Sequence, residues 1–511
     1  MHSIVLASLV SLALAAPKPV AEQEKAFPAN LRAPRIPTRT AREPTRVQRR
    51  QVDVGGYLDE LFSNLGDIPR YVASGIPQFF QDLPQGDEVL EKLGLNDNDL
   101  DAKPTQVLNI PGYANWTGQA WNLLVHGQVY KDPGLDEEKL NDLADVFLVN
   151  TDLQDLQPSE QEQARNLTRA IFSVPQGDQN VTFTFVPNFT PPNEEAGGLV
   201  AAEGGEQTIK YPGATTDLGD FAAFIQLQNT AVQGQGGYIQ AGDSTNSIQA
   251  LNYYAGNATL GNATAYLVPP TGYTIISDID DILRVTKIYQ PDEGLLNSFA
   301  KPFVPWMNMP DIYSTWAQTV PDLHFHYLTT TPEQATPNYM DFIYKTYPLG
   351  SFDTRPLNFS DVEATLNIRR FLLNRIFETY PERKFMLVGD TSNSDVLKEY
   401  PALAERFPNQ VGCIWIRNVT STDREEFKFP YNTKEFEKLN SQMYMFFNVP
   451  DDLRGLNFVA GQCVNSTVKQ EPTFDYQNVP LQDAAVAGKI SFGALMLTAG
   501  VAAVAALANA L

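Results

Sequence analysis

From residue 269 onward, apolar segments of strand length alternate with helical segments, and this alternation constrains the fold more than any other feature of the chain. The strand-like segments are "YTIISD", "FHYLTTTP", "KFMLVGDT" and "VGCIWIRN", and each has polar residues at its carboxyl end. The helical segments between them include "LLNSFAKPF", "NYMDFIYKTY" and "VEATLNIRRFLLNRIFETY". Strands that alternate with helices form a parallel sheet covered on both faces. We therefore predict a Rossmann-like α/β domain over residues 269–450.

A different pattern precedes this domain. Residues 104–268 contain short alternating runs, such as "VTFTFVPNF" and "FAAFIQLQ", separated by clusters of Gly, Pro, Asn and Asp. Short strands with frequent turn residues are typical of antiparallel β structure. We predict an all-β, sandwich-like domain over residues 104–268, with short helices over 51–103 before it. Residues 451–489 are expected to form a C-terminal segment and linker.

Both ends of the chain carry processing signals. Residues 1–16 are apolar and end in small residues, which indicates a secretory signal peptide. Residues 17–50 hold nine Lys or Arg against three Asp or Glu and end in Arg49-Arg50. This Pro-rich composition cannot build a core, so we predict a pro-segment removed at a dibasic site. A chance basic pair in a flexible tail is the alternative.

The C-terminal residues 490–511 contain no charged side chain. Small residues and a short polar spacer lie just before them, with Asp483 to Ala485 as the expected attachment region. This arrangement indicates a glycosylphosphatidylinositol attachment signal, and the length also permits a tail-anchored transmembrane helix. We predict a protein of the secretory pathway, at the cell surface or extracellular, held by a lipid anchor.

Composition agrees with that location. Nine N-x-[S/T] sequons predict N-linked glycans, at Asn115, Asn166, Asn180, Asn188, Asn257, Asn262, Asn358, Asn418 and Asn465. The two cysteines, Cys413 and Cys463, could form one disulfide that ties the C-terminal segment to the second domain. A net charge of −23 opposes binding to nucleic acid, so we expect no nucleic-acid partner.

The segment "TIISDIDDILRV" places Asp278, Asp280 and Asp281 directly after a strand. Ligands of parallel α/β sheets bind at the carboxyl ends of the strands, so these acids should lie in a crevice. One carboxylate could attack phosphorus while a second protonates the leaving oxygen and later activates water. An acidic turn that is simply solvated, or that caps a helix, is the alternative for this motif alone.

Later strand ends supply what such a site needs. A hydroxyl for phosphate oxygens is offered by Thr329 after "FHYL", and further carboxylates by Asp390 and Asp395 in "GDTSNSD". A cation is offered by Arg369 or its neighbour Arg370 in the following helix, although a solvated arginine is an equal alternative for Arg369. Two acidic loops at one sheet edge could bind Mg²⁺. About 50 residues separate Asp278 from Thr329, and about 40 separate Thr329 from Arg369, so neither gap holds a large cap domain.

The order of these motifs resembles the haloacid-dehalogenase superfamily of Mg²⁺-dependent phosphohydrolases. More narrowly, "ISDIDDILRVTKI", "FHYLTTTPEQATPNYMDFI" and "YPERKFMLVGDTSNSDVLKEY" resemble the catalytic domain of the actin-patch-type phosphatidate phosphatase family, over about residues 265–425. The resemblance implies a haloacid-dehalogenase-type fold and Mg²⁺ as the cofactor. It implies a phospholipid substrate, phosphatidate, at a membrane surface.

The resemblance also implies roles for individual residues. Asp278 would be the nucleophile and a metal ligand, and Asp280 the acid and base, with its backbone carbonyl on the metal. Thr329 would bind phosphate, and Asp390 with Asp395 would supply metal-side carboxylates. In this alignment Arg369 stands where the family has lysine.

Two positions depart from the family pattern. Ile282 stands where the first motif normally has threonine, and Arg369 has a planar guanidinium in place of a compact ammonium. Lys384 is the only nearby lysine, and it precedes a strand at the end away from the site.

Three functional hypotheses follow from the sequence. The first is a Mg²⁺-dependent phosphatase that acts on phosphate monoesters, with phosphatidate as the leading substrate, through an aspartyl-phosphate. The second is a catalytically weak or inactive cell-surface glycoprotein of the same fold, and the third is a phosphatase for a soluble phosphomonoester. The chain contains neither a G-x-S-x-G nor a G-x-x-x-x-G-K-[ST] motif, which disfavours serine hydrolases and P-loop enzymes.

Overall fold

A computed structural model describes residue 90 and residues 95–145, 147–148, 151–186, 207–227, 239–243, 247–255, 262–355, 362–422, 431–470, 474 and 476–477. The predicted signal peptide, pro-segment and hydrophobic C-terminal segment lie outside these residues, as do most of region 51–103 and the end of region 451–489. Among the described residues, no helix combines the length and apolar composition needed to cross a bilayer.

The N-terminal half is built on one mixed sheet of nine strands. Its elements are α1 (Asp97–Asp101), β1 (Thr105–Ile110), β2 (Tyr113–Trp116), β3 (Trp121–Lys131), α2 (Glu137–Asp145), α3 (Pro158–Ile171), β4 (Val174–Pro175), β5 (Thr182–Val186), β6 (Gln207–Lys210), β7 (Asp220–Leu227), β8 (Gln249–Ala255) and β9 (Asn262–Val268). All strand pairs are antiparallel except β2 with β9.

This sheet curls around its own core. Phe183 of β5 lies 5.4 Å from Phe221 of β7, measured between ring centroids, although β8, β9, β2 and β3 separate the two strands within the sheet. Residues from both ends of the sheet therefore share one apolar cluster. The predicted β-rich region is confirmed in this form.

The structure differs from the expected all-β sandwich in two respects. The described strands form one continuous sheet, and two helices, α2 and α3, stand between β3 and β4. Helix α3 has Pro158 at its first turn and buries a stripe of Ala164, Leu167 and Ile171, a helical spacing that strand-like neighbours obscured in the sequence.

The C-terminal half is the predicted parallel α/β sheet. Its elements are β10 (Tyr273–Ser277), α4 (Pro291–Phe299), α5 (Met309–Thr319), β11 (His324–Pro332), α6 (Thr336–Thr346), β12 (Ser351–Arg355), α7 (Val362–Thr379), β13 (Lys384–Asp390), α8 (Ser394–Arg406), β14 (Val411–Arg417) and β16 (Tyr444–Phe447). A separate two-stranded ribbon pairs β15 (Tyr431–Asn432) with β17 (Tyr476–Gln477). Every pair in the six-stranded sheet is parallel.

The strand order of this sheet is β12-β11-β10-β13-β14-β16. The chain moves outward from β10 through β11 to β12, then crosses back to β13 on the other side of β10 and moves outward again. The order thus reverses between β10 and β13, and ligands of open α/β sheets bind at this reversal, outside the carboxyl ends of the strands. The residues that follow β10 and β13 are therefore the candidate ligand-binding residues.

Both faces of the parallel sheet are covered, because successive side chains alternate between two apolar clusters. Ile275 packs with α5 and α6 on one face, whereas Ile276 packs with α7 and α8 on the other. Leu124 and Tyr266 of the curled sheet join the second cluster. Burial on both faces explains why these strands are apolar throughout.

The two halves also share hydrogen bonds and a buried charge cluster. The Phe352 amide donates to the Pro111 carbonyl at 2.9 Å. Asp353 of β12 accepts from Arg375 of α7 at 2.6 Å and lies 3.1 Å from His326 Nε2. His126 of β3 lies 3.9 Å from the same carboxylate. Because all these groups are buried or nearly so, the cluster couples the two halves electrostatically.

Cys413 of β14 and Cys463 form a disulfide, with 5.3 Å between their Cα atoms. The bond ties residues after β16 to the sheet, next to Trp415, whose indole N–H donates to the Cys463 carbonyl at 2.9 Å. Among the sequons, Asn166 and Asn180 are exposed, whereas Asn188, Asn257 and Asn358 lie outside the described residues.

Candidate functional site

The strand register places three predicted site residues at the reversal of strand order. Ser277 pairs with Tyr327 of β11 on one side and with Val388 of β13 on the other. Continuing each register brings Asp278 level with Leu328 and Gly389, so that Thr329 and Asp390 come one residue further along on either side. The Asp278 amide still donates to the Val388 carbonyl at 2.9 Å, which fixes the end of β10 against β13.

Asp278 is 2% exposed and is held by three donors. Arg369 Nη2 lies 3.3 Å from its Oδ1 and 3.1 Å from its Oδ2. Asn393 Nδ2 donates to Oδ2 at 3.1 Å, and the Ile279 amide donates to Oδ1 at 3.0 Å. Burial raises the pKa of Asp278, and the Arg369 guanidinium acts against that rise.

Arg369 is therefore buried against Asp278 and is not a solvated helix-face arginine. It is 1% exposed, while its neighbour Arg370 faces away and pairs with Glu399 at 2.7 Å. Arg369 uses only Nη2 in these contacts, and its buried Nε and Nη1 have no hydrogen-bond partner among the described residues. Two free donors next to a candidate nucleophile suit the oxygens of a bound phosphate.

Asp390 ends β13 and is fully buried. Its Oδ1 accepts from the Ser392 amide at 2.6 Å and from the Ser392 hydroxyl, whereas no described residue donates to the buried Oδ2. Burial, and then the charges of Asp278 and Asp281, raise the pKa of Asp390 to about 8. A bare carboxylate oxygen beside other carboxylates fits a bound cation, which would supply both a ligand bond and a counter-charge.

The structure brings these groups together only partly. Among the described residues, no group of three or more His, Cys, Asp or Glu side chains is gathered in metal-binding proximity. Mg²⁺ commonly takes only one or two carboxylates and completes its shell with water and other oxygens. Asp278, Asp390 and the backbone carbonyl of Asp280 therefore remain a chemically suitable donor set.

Asp395 lies in the first turn of α8, two residues after Asn393, which caps that helix. Its amide donates to Asn393 Oδ1 at 3.1 Å. Burial raises the pKa of Asp395, and the charge of the nearby Arg369 acts against that rise.

The side chain of Asp280 is 15% exposed and is therefore more accessible than that of Asp278, which is 3% exposed. Its Oδ1 accepts from Arg284 Nε at 2.9 Å, from the Thr286 hydroxyl at 2.8 Å and from the Tyr339 hydroxyl at 3.2 Å. The charge of Asp280 contributes to the raised pKa of Asp278, which places the two carboxylates within electrostatic reach.

Asp281 has a structural task. Its residue adopts a positive φ of 57°, and its carboxylate accepts from the amides of Thr286, Lys287 and Ile288 at 2.8–3.2 Å. Arg417 Nη1 lies 3.7 Å from its Oδ1. The third acid thus shapes the loop that follows the first two.

Of the two departures from the family pattern, Arg369 pairs with Asp278, and Ile282 lies in the core. Ile282 is fully buried in the apolar cluster that also contains Ile279 and Leu283, so its branched side chain serves packing. Thr329 is 2% exposed and exchanges hydrogen bonds with Thr331, whose amide donates to the Thr329 hydroxyl at 3.1 Å. Lys384 starts β13, at the sheet edge opposite the site.

Three contributors to the site were missed in the sequence: Asn393, Arg284 and Tyr339. Asn393 lies inside "GDTSNSD" and follows Asp390 by three residues, so its place in a helix-capping loop was available as a signal. Arg284 follows Asp280 by four residues, a spacing at which side chains meet on a helical turn. Nothing in the sequence connects Tyr339 to Asp280.

Comparison with known proteins supports the predicted resemblance. Residues 273–418 match the model of the family described as phosphatidate phosphatase APP1, catalytic domain. Phosphatidate phosphatase APP1 of Saccharomyces cerevisiae is 30% identical over 193 residues, which cover 35% of this chain and 32% of that protein. The chain thus spans about a third of the length of this relative. The resemblance inferred for residues 265–425 is confirmed over the matched segment.

Among solved structures, ferredoxin-NADP+ reductase from Plasmodium falciparum with 2'P-AMP aligns with 61% of this chain and 96% of that chain. The identity is 9% and the TM-score is 0.14, so this likeness carries no argument about the fold.

Proposed function

We propose that this chain is a Mg²⁺-dependent phosphatase of haloacid-dehalogenase type that hydrolyses phosphate monoesters, with phosphatidate as the leading substrate. The family match of residues 273–418 supports the reaction class. One structural observation carries the proposal: the buried Asp278 pairs with an arginine that has two unused donors, and it lies within electrostatic reach of Asp390, whose Oδ2 has no donor among the described residues. This arrangement suits an anionic phosphoryl group that arrives with a cation.

The proposed reaction has two steps. An oxygen of Asp278 attacks phosphorus, the ester P–O bond breaks, and the leaving oxygen takes a proton from Asp280. Water then gives a proton to Asp280 and attacks phosphorus, which releases inorganic phosphate and regenerates the Asp278 carboxylate. Thr329 and the free donors of Arg369 would bind the phosphoryl oxygens.

The cation would be held by Asp278, Asp390 and the Asp280 carbonyl, and Asp395 would supply a further carboxylate on the metal side. When bound, Mg²⁺ supplies charge neutralisation for the phosphoryl group. Binding has a readout other than turnover, because a ligand present at 100 times its Kd stabilises the folded chain by about 2.7 kcal/mol. We expect Mg²⁺ to raise the melting temperature of the wild type but not of Asp390→Asn. An equal rise in melting temperature in both proteins would show that Asp390 does not bind the cation.

The activity test uses the full chain and measures phosphate release from phosphatidate vesicles and from soluble esters, with Mg²⁺ or with a chelator. Asp278→Asn is the catalytic variant, and Asp451→Asn is the matched control, since Asp451 is exposed and, within the described part of the chain, pairs with Arg454 and Asn308. We expect release to require Mg²⁺ and Asp278 and to persist in the control. Equal rates in wild type and Asp278→Asn would refute the enzymatic proposal.

Two alternatives are outcomes of the same assay. Release from soluble esters alone would indicate a phosphatase for soluble phosphomonoesters. No release from any ester, by a folded chain, would indicate an inactive cell-surface glycoprotein of this fold. We place the protein in the secretory pathway, with N-linked glycans and a lipid anchor, on the basis of residues 1–16, the sequons and residues 490–511.

A further inference from the structure

The candidate acid Asp280 is held unequally at its two oxygens. Oδ1 accepts three hydrogen bonds, from Arg284, Thr286 and Tyr339, at 2.8–3.2 Å. Among the residues that the structure describes, Oδ2 has one long contact, 3.4 Å from the Tyr339 hydroxyl. A carboxylate anchored at one oxygen in this way has a fixed rotamer, and the other oxygen remains available to a reacting group.

Arg284 is the charged donor among the three groups that bind Oδ1, and its own side chain is held in place by several contacts. The side chain is completely buried, and each nitrogen of the guanidinium has a partner. Nε donates to Asp280, Nη1 to the Asn297 carbonyl at 3.1 Å, and Nη2 to the Ser298 hydroxyl at 3.0 Å. The planar group also lies 3.9 Å from the Phe303 ring centroid and 4.7 Å from that of Tyr339.

An ion pair whose arginine is completely buried is weak evidence for stability, because the desolvation of that charge offsets the attraction between the two groups. An apolar side chain of similar volume could fill this space at little or no loss of stability. Arg284 is therefore better explained by what it does for Asp280 than by what it adds to the fold.

We propose that Arg284 is a positioning residue that holds Oδ1 of Asp280, so that Oδ2 faces the leaving oxygen of the substrate. The proposal rests on the proposed function, because it assigns Asp280 the proton transfer of that reaction. In the first step the proton passes from Oδ2 to the leaving oxygen as the P–O bond breaks. Arg284 itself touches neither substrate nor phosphorus in this arrangement.

The test compares esters that differ in their need for that proton. An alkyl ester, such as glycerol 3-phosphate or phosphatidate in vesicles, has a strongly basic leaving oxygen and needs the acid, whereas para-nitrophenyl phosphate releases a stable phenolate and needs it little. Proton transfer by a positioned side chain typically contributes on the order of 10²–10⁴-fold. We expect Arg284→Met to lower kcat on the alkyl ester by about 10²-fold and on the nitrophenyl ester by less than about 3-fold, with KM unchanged for both.

Two further variants keep the test decisive. Arg284→Lys retains the charge without the planar fork and should show the same selective loss to a smaller degree. Arg375→Met removes another guanidinium that is paired with a buried carboxylate, Asp353, away from the site, so any loss should be the same factor for both esters. Equal losses on both esters in Arg284→Met or Arg284→Lys would overturn the positioning role. If the wild type hydrolyses neither ester, the proposed function fails first and the role of Arg284 fails with it.

Discussion

The pairing of Asp278 with Arg369 makes a quantitative prediction about stability. Both side chains are 1–3% exposed, and Arg369 Nη2 lies 3.1 Å from Asp278 Oδ2. Removing one partner of a buried pair typically costs about 3–5 kcal/mol, because the remaining charge is left uncompensated. Asp278 would keep its bonds from Ile279 and Asn393, so we expect Arg369→Met to cost about 3 kcal/mol, near the lower end of that range.

A double-mutant cycle isolates the pair. Asp278→Asn should also cost about 3 kcal/mol, since it strands a guanidinium whose other donors already lack partners. The double variant leaves no unpaired charge, so its cost should also be about 3 kcal/mol, well below the sum of the single costs. The expected coupling is about 3 kcal/mol, measured by urea unfolding of the full chain with a chelator present.

The control is an exposed pair with an even shorter contact. Arg454 Nη2 lies 2.7 Å from Asp451 Oδ1, but the two side chains are 50% and 60% exposed. Solvent screening weakens such pairs, so the same cycle on Arg454 and Asp451 should show little coupling. If the costs of Arg369→Met and Asp278→Asn add to within about 0.5 kcal/mol, the two groups do not interact as the structure indicates.

Three further predictions concern the scaffold. Burial lowers the pKa of His126 to about 4, below its unfolded value. The stability that the neutral imidazole contributes is therefore fully present above about pH 6.5 and is lost as pH falls toward 4. This contribution to the free energy of unfolding amounts to about 3 kcal/mol. Urea unfolding across this pH range should show a flatter pH dependence of that free energy in His126→Gln. An unchanged pH dependence would contradict the role of His126. Reduction of Cys413–Cys463, which are 50 residues apart, should lower the free energy of unfolding by up to about 4 kcal/mol, and no loss on reduction would mean that the bond constrains little. An added Cβ at Gly389 would lie 2.5 Å from a side-chain carbon of α8. Gly389→Ala should therefore lower the free energy of unfolding by about 1–3 kcal/mol, and it should lower activity by displacing the residues after β13. Gly213→Ala is the control and should be tolerated, because the nearest atom to its added Cβ lies at 3.7 Å.

The central strands could be predicted from sequence because burial on both faces makes them apolar along their whole length. The segments "YTIISD" and "KFMLVGDT" correspond to β10 and β13 to within one residue. Their polar ends then located Asp278 and Asp390 without further information. The outer strand β12 was not predicted, since "SFDTR" is short and contains a buried charge that only the fold explains.

The choice between Arg369 and Arg370 shows where sequence reasoning stops. Both lie one turn before the apolar stripe of α7, so helical periodicity alone does not separate them. Their tertiary partners decide the matter, because Asp278 on β10 binds one and Glu399 on α8 binds the other. Tertiary structure also decides the contacts of Tyr339 and Phe303, which lie next to Arg284 but come from distant parts of the chain.

The three acids of "DIDD" can stand within four positions because each has its own guanidinium. Asp278 pairs with Arg369 from α7, Asp280 with Arg284 from its own loop, and Asp281 with Arg417 from β14. Because the arginines come from three different elements, each turns its acid in a different direction, and the three carboxylates take different tasks.

Asp390 completes the set of four acids and is the member for which the described residues provide no cation. Its pKa is raised by burial and by the charges of two of the other acids, and its Oδ2 has no donor. The fold thus compensates three of the four negative charges with its own side chains and leaves the fourth beside the reversal of strand order. A divalent cation would balance this charge and carry positive charge over to a phosphoryl group, whereas a fourth arginine would only neutralise it. We therefore propose that the counter-charge of the acid at the end of β13 is a divalent cation and not a cationic side chain.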